Sequence, residues 1–197
     1  MTQWEKPIVL ASSSARRASL LLSAGIDAIQ FPPRIDDGVL TCGSMPVSRW
    51  VQTLAVLKAQ HVKSICSERV GTVLAADTVC VVDHCILGQP ATEEDARAML
   101  FQLIGRAHEV YTGWCLTSLE GNQLQSGCEK AIVTIAEVSV EEIEQYLRSA
   151  LWQGKAGGYN LSERIDAKWP ITCQGDSTSV MGLPMERMTQ ELFRSCT

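Results

Sequence analysis

The sequence predicts an α/β fold with a mixed central sheet and flanking helices, and three observations carry that expectation. Short apolar runs of strand type alternate with helix-period segments along almost the whole chain. Most of the helical segments carry a start or stop signal of their own. Near the middle, two long β-type runs flank a Gly-Asn pair, which reads as a hairpin set into the alternating pattern. At 197 residues the chain can bury a sizeable core and reads as a single domain, 1–197.

The elements follow in order. "PIVLA" is a short apolar run of the buried-strand type. The helix "ARRASLLLSA" comes next, with Gly25 where a left-handed C-terminal cap belongs. "DAIQF" reads as a second strand, followed by a loop carrying "PPRIDD". Pro46 opens the helix "PVSRWVQTLAVLKAQHVKS" in the first turn, where proline is tolerated. "TVLAADTVCVVD" is a long β-type run, and an Asp-His turn leads into the short strand "CILG". Thr92 and Asp95 form a capping box for "EEDARAMLFQL", which Gly105 ends. "HEVYTGWCLTSLE" and "QLQSGCEKAIVTIAEV" are the arms of the hairpin around Gly121 and Asn122. Ser139 and Glu142 cap "EEIEQYLRSA". A flexible glycine turn, "GKAGGYN", and irregular strands lead to the closing helix, "GLPMERMTQELFRSC".

Composition narrows the function classes. The 46% hydrophobic and 20% charged content is ordinary for a soluble globular chain. A net charge of −5 argues against nucleic acid or an anionic membrane as the main partner, so an anionic ligand must be met by locally concentrated positive charge. "MTQWEKPIVLA" lacks the apolar core of a signal peptide, and no run approaches membrane-spanning length. The eight cysteines are scattered, with no CxxC pair and no zinc-finger spacing to the three histidines. Buried, reduced thiols and a cytoplasmic location are therefore expected.

Four stretches bear chemistry. In "VLASSSARR" a strand hands over to a helix through Ser12, Ser13 and Ser14, with Arg16 and Arg17 in the first turn. The unpaired N–H groups of a helix N-terminus suit an anion, small serines let it approach, and paired guanidinium groups grip phosphate oxygens. Arginine in a first turn meets the positive end of the macrodipole, an arrangement that an external anion would offset. A serine cap followed by two solvated arginines also satisfies this stretch. Asp77 lies inside the apolar run "VLAADTVCVV", where a carboxylate needs a partner or a metal. Alternation puts Val73, Ala75, Asp77, Val79 and Val81 on one face and Thr78 on the other. A catalytic or metal-binding carboxylate is expected there, with a structural ion pair as the alternative. Lys58 continues the apolar stripe of Val47, Val51 and Leu54, so its ammonium either snorkels to solvent or reaches a phosphate in a cleft. Asp36 and Asp37 in "RIDDG" could hold a hydrated Mg²⁺ or simply turn a loop. His61, His84 and His108 read as structural or exposed, Met181, Met185 and Met188 as core filler, and Lys155 as solvated.

"LASSSARR", "AVLKA", "AADTV", "GKAGGYN" and "VMGLPM", in this order, resemble the motifs of the Maf family of nucleoside triphosphate pyrophosphatases. The resemblance implies a two-lobed α/β fold around a cleft, similar to the inosine triphosphatase class, and a homodimer. It implies hydrolysis of a nucleoside triphosphate to the monophosphate and pyrophosphate with Mg²⁺ or Mn²⁺. Asp77 would then be the catalytic acid/base and, with Asp37, a metal ligand. Ser12, Ser14, Arg16, Arg17 and Lys58 would bind the phosphates. Two departures from the family pattern stand out: Ala15 replaces a usual proline, and Gln89 stands where a lysine is usual, keeping a donor but losing charge. The dTTP/UTP branch typically has arginine, threonine and glutamine at the positions of Arg16, Thr78 and Ser162; two of the three match, and Ser162 is too short to reach the same base edge directly. The resemblance therefore implies dTTP/UTP hydrolysis first. A house-cleaning hydrolase of modified nucleotides and a weakly active nucleotide-binding regulator of septum formation are the alternatives.

Overall fold

A computed structural model of the chain describes residues 4–35 and 40–193. Strands and helices alternate as expected: β1 (Ile8–Leu10), α1 (Ala15–Ser23), β2 (Ala28–Gln30), α2 (Val47–Ile65), β3 (Thr72–Val82), β4 (Cys85–Leu87), α3 (Glu93–Leu103), β5 (Arg106–Ser118), β6 (Leu124–Ile135), α4 (Val140–Arg148), α5 (Leu161–Asp166), β7 (Ile171–Gln174), α6 (Ser177–Val180) and α7 (Met185–Leu192). The sheet runs β2-β1-β3-β5-β6-β7, with β4 paired to β3. It is mixed: β1 is parallel to both β2 and β3, while β4 on β3 and β7 on β6 are antiparallel.

The chain divides into two compact units. Met1–Asp77, Thr112–Glu129 and Gly182–Thr197 form the first, Thr78–Tyr111 and Lys130–Met181 the second. In the first unit, the crossovers β1→β2 and β2→β3 run in opposite directions along the sheet, so right-handedness puts α1 and α2 on opposite faces. Strand alternation follows suit. Leu10, Leu74 and Ala76 pack with Leu21 of α1 and Met188 of α7, whereas Val9, Ala11, Val73 and Ala75 pack with Ala55, Ala59 and Val62 of α2. Each fully buried leucine stabilises such a core by about 1.5–3 kcal/mol relative to an exposed one. Gly25 follows α1 at φ 72°, the expected left-handed cap.

The second unit has its own core, in which Leu100 and Leu103 of α3 meet Val133 and Ile135 of β6 and Ile143, Tyr146 and Leu147 of α4. Both expected capping boxes form, Thr92 with Asp95 and Ser139 with Glu142. "CVVDHC" is two strands around a turn whose central residues, Asp83 (φ 47°) and His84 (φ 65°), have the positive φ of a type I′ hairpin. The segment read as irregular strands differs: only β7 is a strand, flanked by α5 and α6. These helices are six and four residues long, too short to show a period, and each starts on a side-chain cap. Asn160 accepts from Glu163 N (3.1 Å), and Asp176 from Thr178 N (2.8 Å). All seven described cysteines are free thiols; Cys66, Cys80 and Cys115 are buried and Cys85 is exposed. Among the described residues no helix is long and apolar enough to cross a membrane.

Candidate active site

In the first unit, β1 sits beside β3 with Leu10 opposite Leu74, and Ala11 N donates to Leu74 O (2.8 Å). The serine loop therefore leaves the sheet three residues before Asp77, at a carboxyl end where the strand order reverses. Ligands of open α/β sheets gather at such places. Ser14 is the N-cap of α1, its hydroxyl accepting from Arg17 N (3.4 Å). Ser12 is buried, and its Oγ accepts from Ser14 N (3.1 Å) and from Arg17 Nη1 (3.2 Å).

Arg17 is not the solvated side chain that the serine-cap alternative allowed. Its Nε donates to the Gly182 carbonyl (2.7 Å), so the "GLP" turn and the serine loop together fix the guanidinium. Gly182, at φ 109°, has no Cβ, and one placed there would stand 3.1 Å from Arg17 Nε. The first turn of α1 contains no acidic residue, whereas α3 opens with Glu93, Glu94 and Asp95 and α4 with Glu141 and Glu142. Arg16, in the same first turn, is half-buried. The positive end of α1 is thus left for a negative group from outside the helix.

Asp77 continues the face of Val73 and Ala75 and so points toward α2. Lys58 stands seven residues after Val51 and four after Leu54, on the same buried face of that helix. The two side chains meet: Lys58 Nζ donates to Asp77 Oδ1 at 2.5 Å. Desolvation makes an isolated charge here costly by several kcal/mol, so each side chain needs the other as its partner. The pair still keeps 13% and 12% of its side-chain surface exposed, enough for a ligand to reach it. Sequence reasoning gave Lys58 and Asp77 separate tasks; the structure places them in one contact.

Asp36 and Asp37 fall outside the described residues. Thr78, Gln89 and Ser162 belong to the second unit, where Thr78 is half-buried, Gln89 is exposed in the loop after β4, and Ser162 is exposed on α5. Ser162 Oγ donates to Asn160 Oδ1 (2.8 Å), so its proton is already engaged.

Lys155 is a correction: it is buried and ion-paired with Glu163, because the "KAGG" segment folds into a tight 3₁₀ turn packed against α3 rather than a flexible one. Gly157 N donates to Gly88 O (2.9 Å), and Gly157 leaves room for the Cys80 thiol. Sequence reasoning also missed Arg164, buried over the Tyr146 ring at 4.0 Å and beside Trp169 at 5.2 Å. A charge in an undetected six-residue helix carries no periodic signal.

A carboxylate held by an ammonium, a helix N-terminus without acids, and an arginine pinned in its first turn suit electrostatic handling of a polyanion. Comparison with known proteins agrees with that chemistry. The chain is 35% identical to a dTTP/UTP pyrophosphatase of Chlorobium phaeovibrioides, over 94% of this chain and 95% of the relative. It is 36% identical to one from Symbiobacterium thermophilum (94% and 92% covered) and 35% identical to one from Pyrococcus furiosus (91% and 90% covered). The family model described as Maf-like protein matches residues 7–195, and the chain belongs to that family.

Proposed function

We propose that the chain is a nucleoside triphosphate pyrophosphatase that hydrolyses the α–β phosphoanhydride, releasing a nucleoside monophosphate and pyrophosphate. The observation that carries this reading is the buried, still accessible Lys58–Asp77 pair at the carboxyl end of the parallel strands. The relatives' names support dTTP and UTP as the first substrates, with Arg16 and Thr78 matching that branch and Ser162 departing from it.

Water must attack the α-phosphorus while pyrophosphate leaves with growing negative charge, so catalysis is mostly positioning and electrostatics. Asp77 orients the water and accepts its proton at a carboxylate oxygen. Lys58 holds that carboxylate in place and adds positive charge beside the reacting phosphate. The β- and γ-phosphates lie on the α1 N-terminus, gripped by Arg16 and Arg17, with Ser12 and Ser14 shaping the loop. Asp77 and Asp37 would hold a Mg²⁺ or Mn²⁺ ion. Their hard oxygens fit it, and no cluster of three acidic, His or Cys ligands among the described residues is needed by a cation that takes phosphate and water ligands. When bound, the ion would neutralise phosphate charge and polarise the phosphoryl group. A homodimer in the cytoplasm is part of the same reading.

The test is pyrophosphate against orthophosphate release from dTTP, UTP, CTP, GTP, 7-methyl-GTP and ITP, with Mg²⁺ and with Mn²⁺. Pyrophosphate from dTTP and UTP, lost in Asp77→Asn, is the expected result. Preference for a modified base would move the protein to house-cleaning. Saturable binding without turnover would make it a regulator and place the loss of charge at Gln89 first among the causes.

A further inference from the structure

Gly113, in the stretch of β5 that belongs to the first unit, is buried at ordinary strand geometry, so it answers no conformational need. Its neighbour explains it. A Cβ at Gly113 would lie 2.2 Å from the carbonyl oxygen of Val51, 2.3 Å from its carbonyl carbon and 2.5 Å from Gln52 N. These are backbone atoms of α2, which no side-chain rotation can move aside. Ordinary contact between such atoms is roughly 3.5 Å, so the helix lies about an ångström closer to the strand than any side-chain-bearing residue permits. Gly127 differs: the three atoms nearest a Cβ there all belong to the Trp114 ring, not to a backbone. A second tie holds α2 at the same level, Gln52 Nε2 donating to Ser126 Oγ of β6 (2.9 Å).

We propose that Gly113 is a positioning residue for hydrolysis: its missing side chain seats α2 on β5, and that seat fixes where Lys58 meets Asp77. Lys58 stands two turns beyond Val51, roughly 10 Å along a rigid helix, so a lift at Val51 tilts the segment that carries it. Lys58 and Asp77 are in direct contact, and a misplacement of about an ångström in a catalytic constellation can cost on the order of 100-fold in rate. The inference rests on the proposed role of the Lys58–Asp77 pair.

The experiment is Gly113→Ala beside Val51→Ala, which empties core volume at the same turn without lifting the backbone. For Gly113→Ala, kcat for pyrophosphate release is expected to fall by roughly 10- to 100-fold with KM within about threefold. Val51→Ala lowers Tm and leaves kcat within about twofold. On a Lys58→Ala background Gly113→Ala costs less than about a further twofold, because it acts through that lysine. An equal loss on both backgrounds overturns the proposal. So does a crystal structure of Gly113→Ala in which Lys58 and Asp77 still touch. That structure decides the matter even if the wild type releases no pyrophosphate, an outcome that would count against the proposed function instead. Should Gly113→Ala fail to fold, Gln52→Ala takes its place: a lower kcat at unchanged Tm supports the seat, and an unchanged kcat overturns it.

Discussion

In the first unit, Lys58 and Asp77 meet just past the last β1–β3 pair with about an eighth of each side chain open, and Arg17 is pinned to a main-chain carbonyl. In the second, Arg164 is buried over the Tyr146 ring and beside Trp169, Lys155 is closed over by Glu163, and His108 lies against the Tyr159 hydroxyl at 2.7 Å. Both units bury charge or polarity, but the Lys58–Asp77 pair keeps part of each partner open to a ligand, whereas Arg164 and Lys155 are buried. Burial alone therefore does not mark chemistry. A paired charge that stays partly open, with its partner on a facing helix, does; one buried against aromatic rings serves architecture.

The largest expected effect separates the two uses directly. Asp77→Asn should cut pyrophosphate release by about 10³-fold, the scale of a lost general base, and should lower Tm as well, because Lys58 loses its counter-charge. Replacing both members with apolar residues of similar size, Lys58→Met with Asp77→Leu, should keep or raise Tm and leave no turnover. Steady-state kinetics and calorimetry on the same preparations check both. A double variant that unfolds but an Asp77→Asn enzyme that still works would make this pair as architectural as Arg164.

Arg164 gives the reverse pattern. Arg164→Ala should cost about 2–4 kcal/mol of stability through lost stacking and core volume, read from denaturant midpoints. Arg164→Lys should not restore it, because a compact ammonium cannot stack on the Tyr146 ring as a planar guanidinium does. Next in size is an acid dependence. Burial pushes the His108 imidazole down to about 4, and its Nδ1 has no hydrogen-bond partner among the described residues. An unfolded chain takes up the proton near the ordinary value of 6.5. Between these values the unfolded state binds more protons, so stability present above 6.5 is lost as pH falls toward 4. The loss amounts to on the order of 3 kcal/mol, and His108→Gln should flatten that part of the Tm-against-pH curve.

The first unit was the more legible in the sequence. Its strands are apolar runs, its long helix has a clear stripe, and Asp77 stands out because alternation leaves a carboxylate on a core face. What the sequence could not convey is that Lys58 and Asp77 are partners, nineteen positions apart on elements whose docking depends on Gly113. The link from Arg17 to Gly182 spans 165 positions, and only the turn at Gly182 brings it about. In the second unit the capping boxes were readable because they are local. Lys155 was misread because its burial depends on a 3₁₀ turn whose glycines look like flexibility. Helices α5 and α6 were missed for want of length.

The smallest effect tests the contrast at the level of helix ends. Thr92 and Asp95 close the start of α3 from within, and hydrogen bonds from Thr92 hold the Asp95 carboxyl below the usual carboxylate range. Ser14 caps α1, whose first turn holds no acidic residue. Thr92→Ala and Ser14→Ala should each cost about 1 kcal/mol in the ligand-free protein. Added pyrophosphate should separate them. If the anion sits on the α1 N-terminus, its oxygens take over the N–H that Ser14 served, and the Ser14→Ala deficit in Tm shrinks. The Thr92→Ala deficit stays as it was, since α3 already carries its own negative charge. A Ser14→Ala deficit that pyrophosphate leaves untouched would remove the phosphates from α1, and the serine loop would then be no more than the cap that α3 also has.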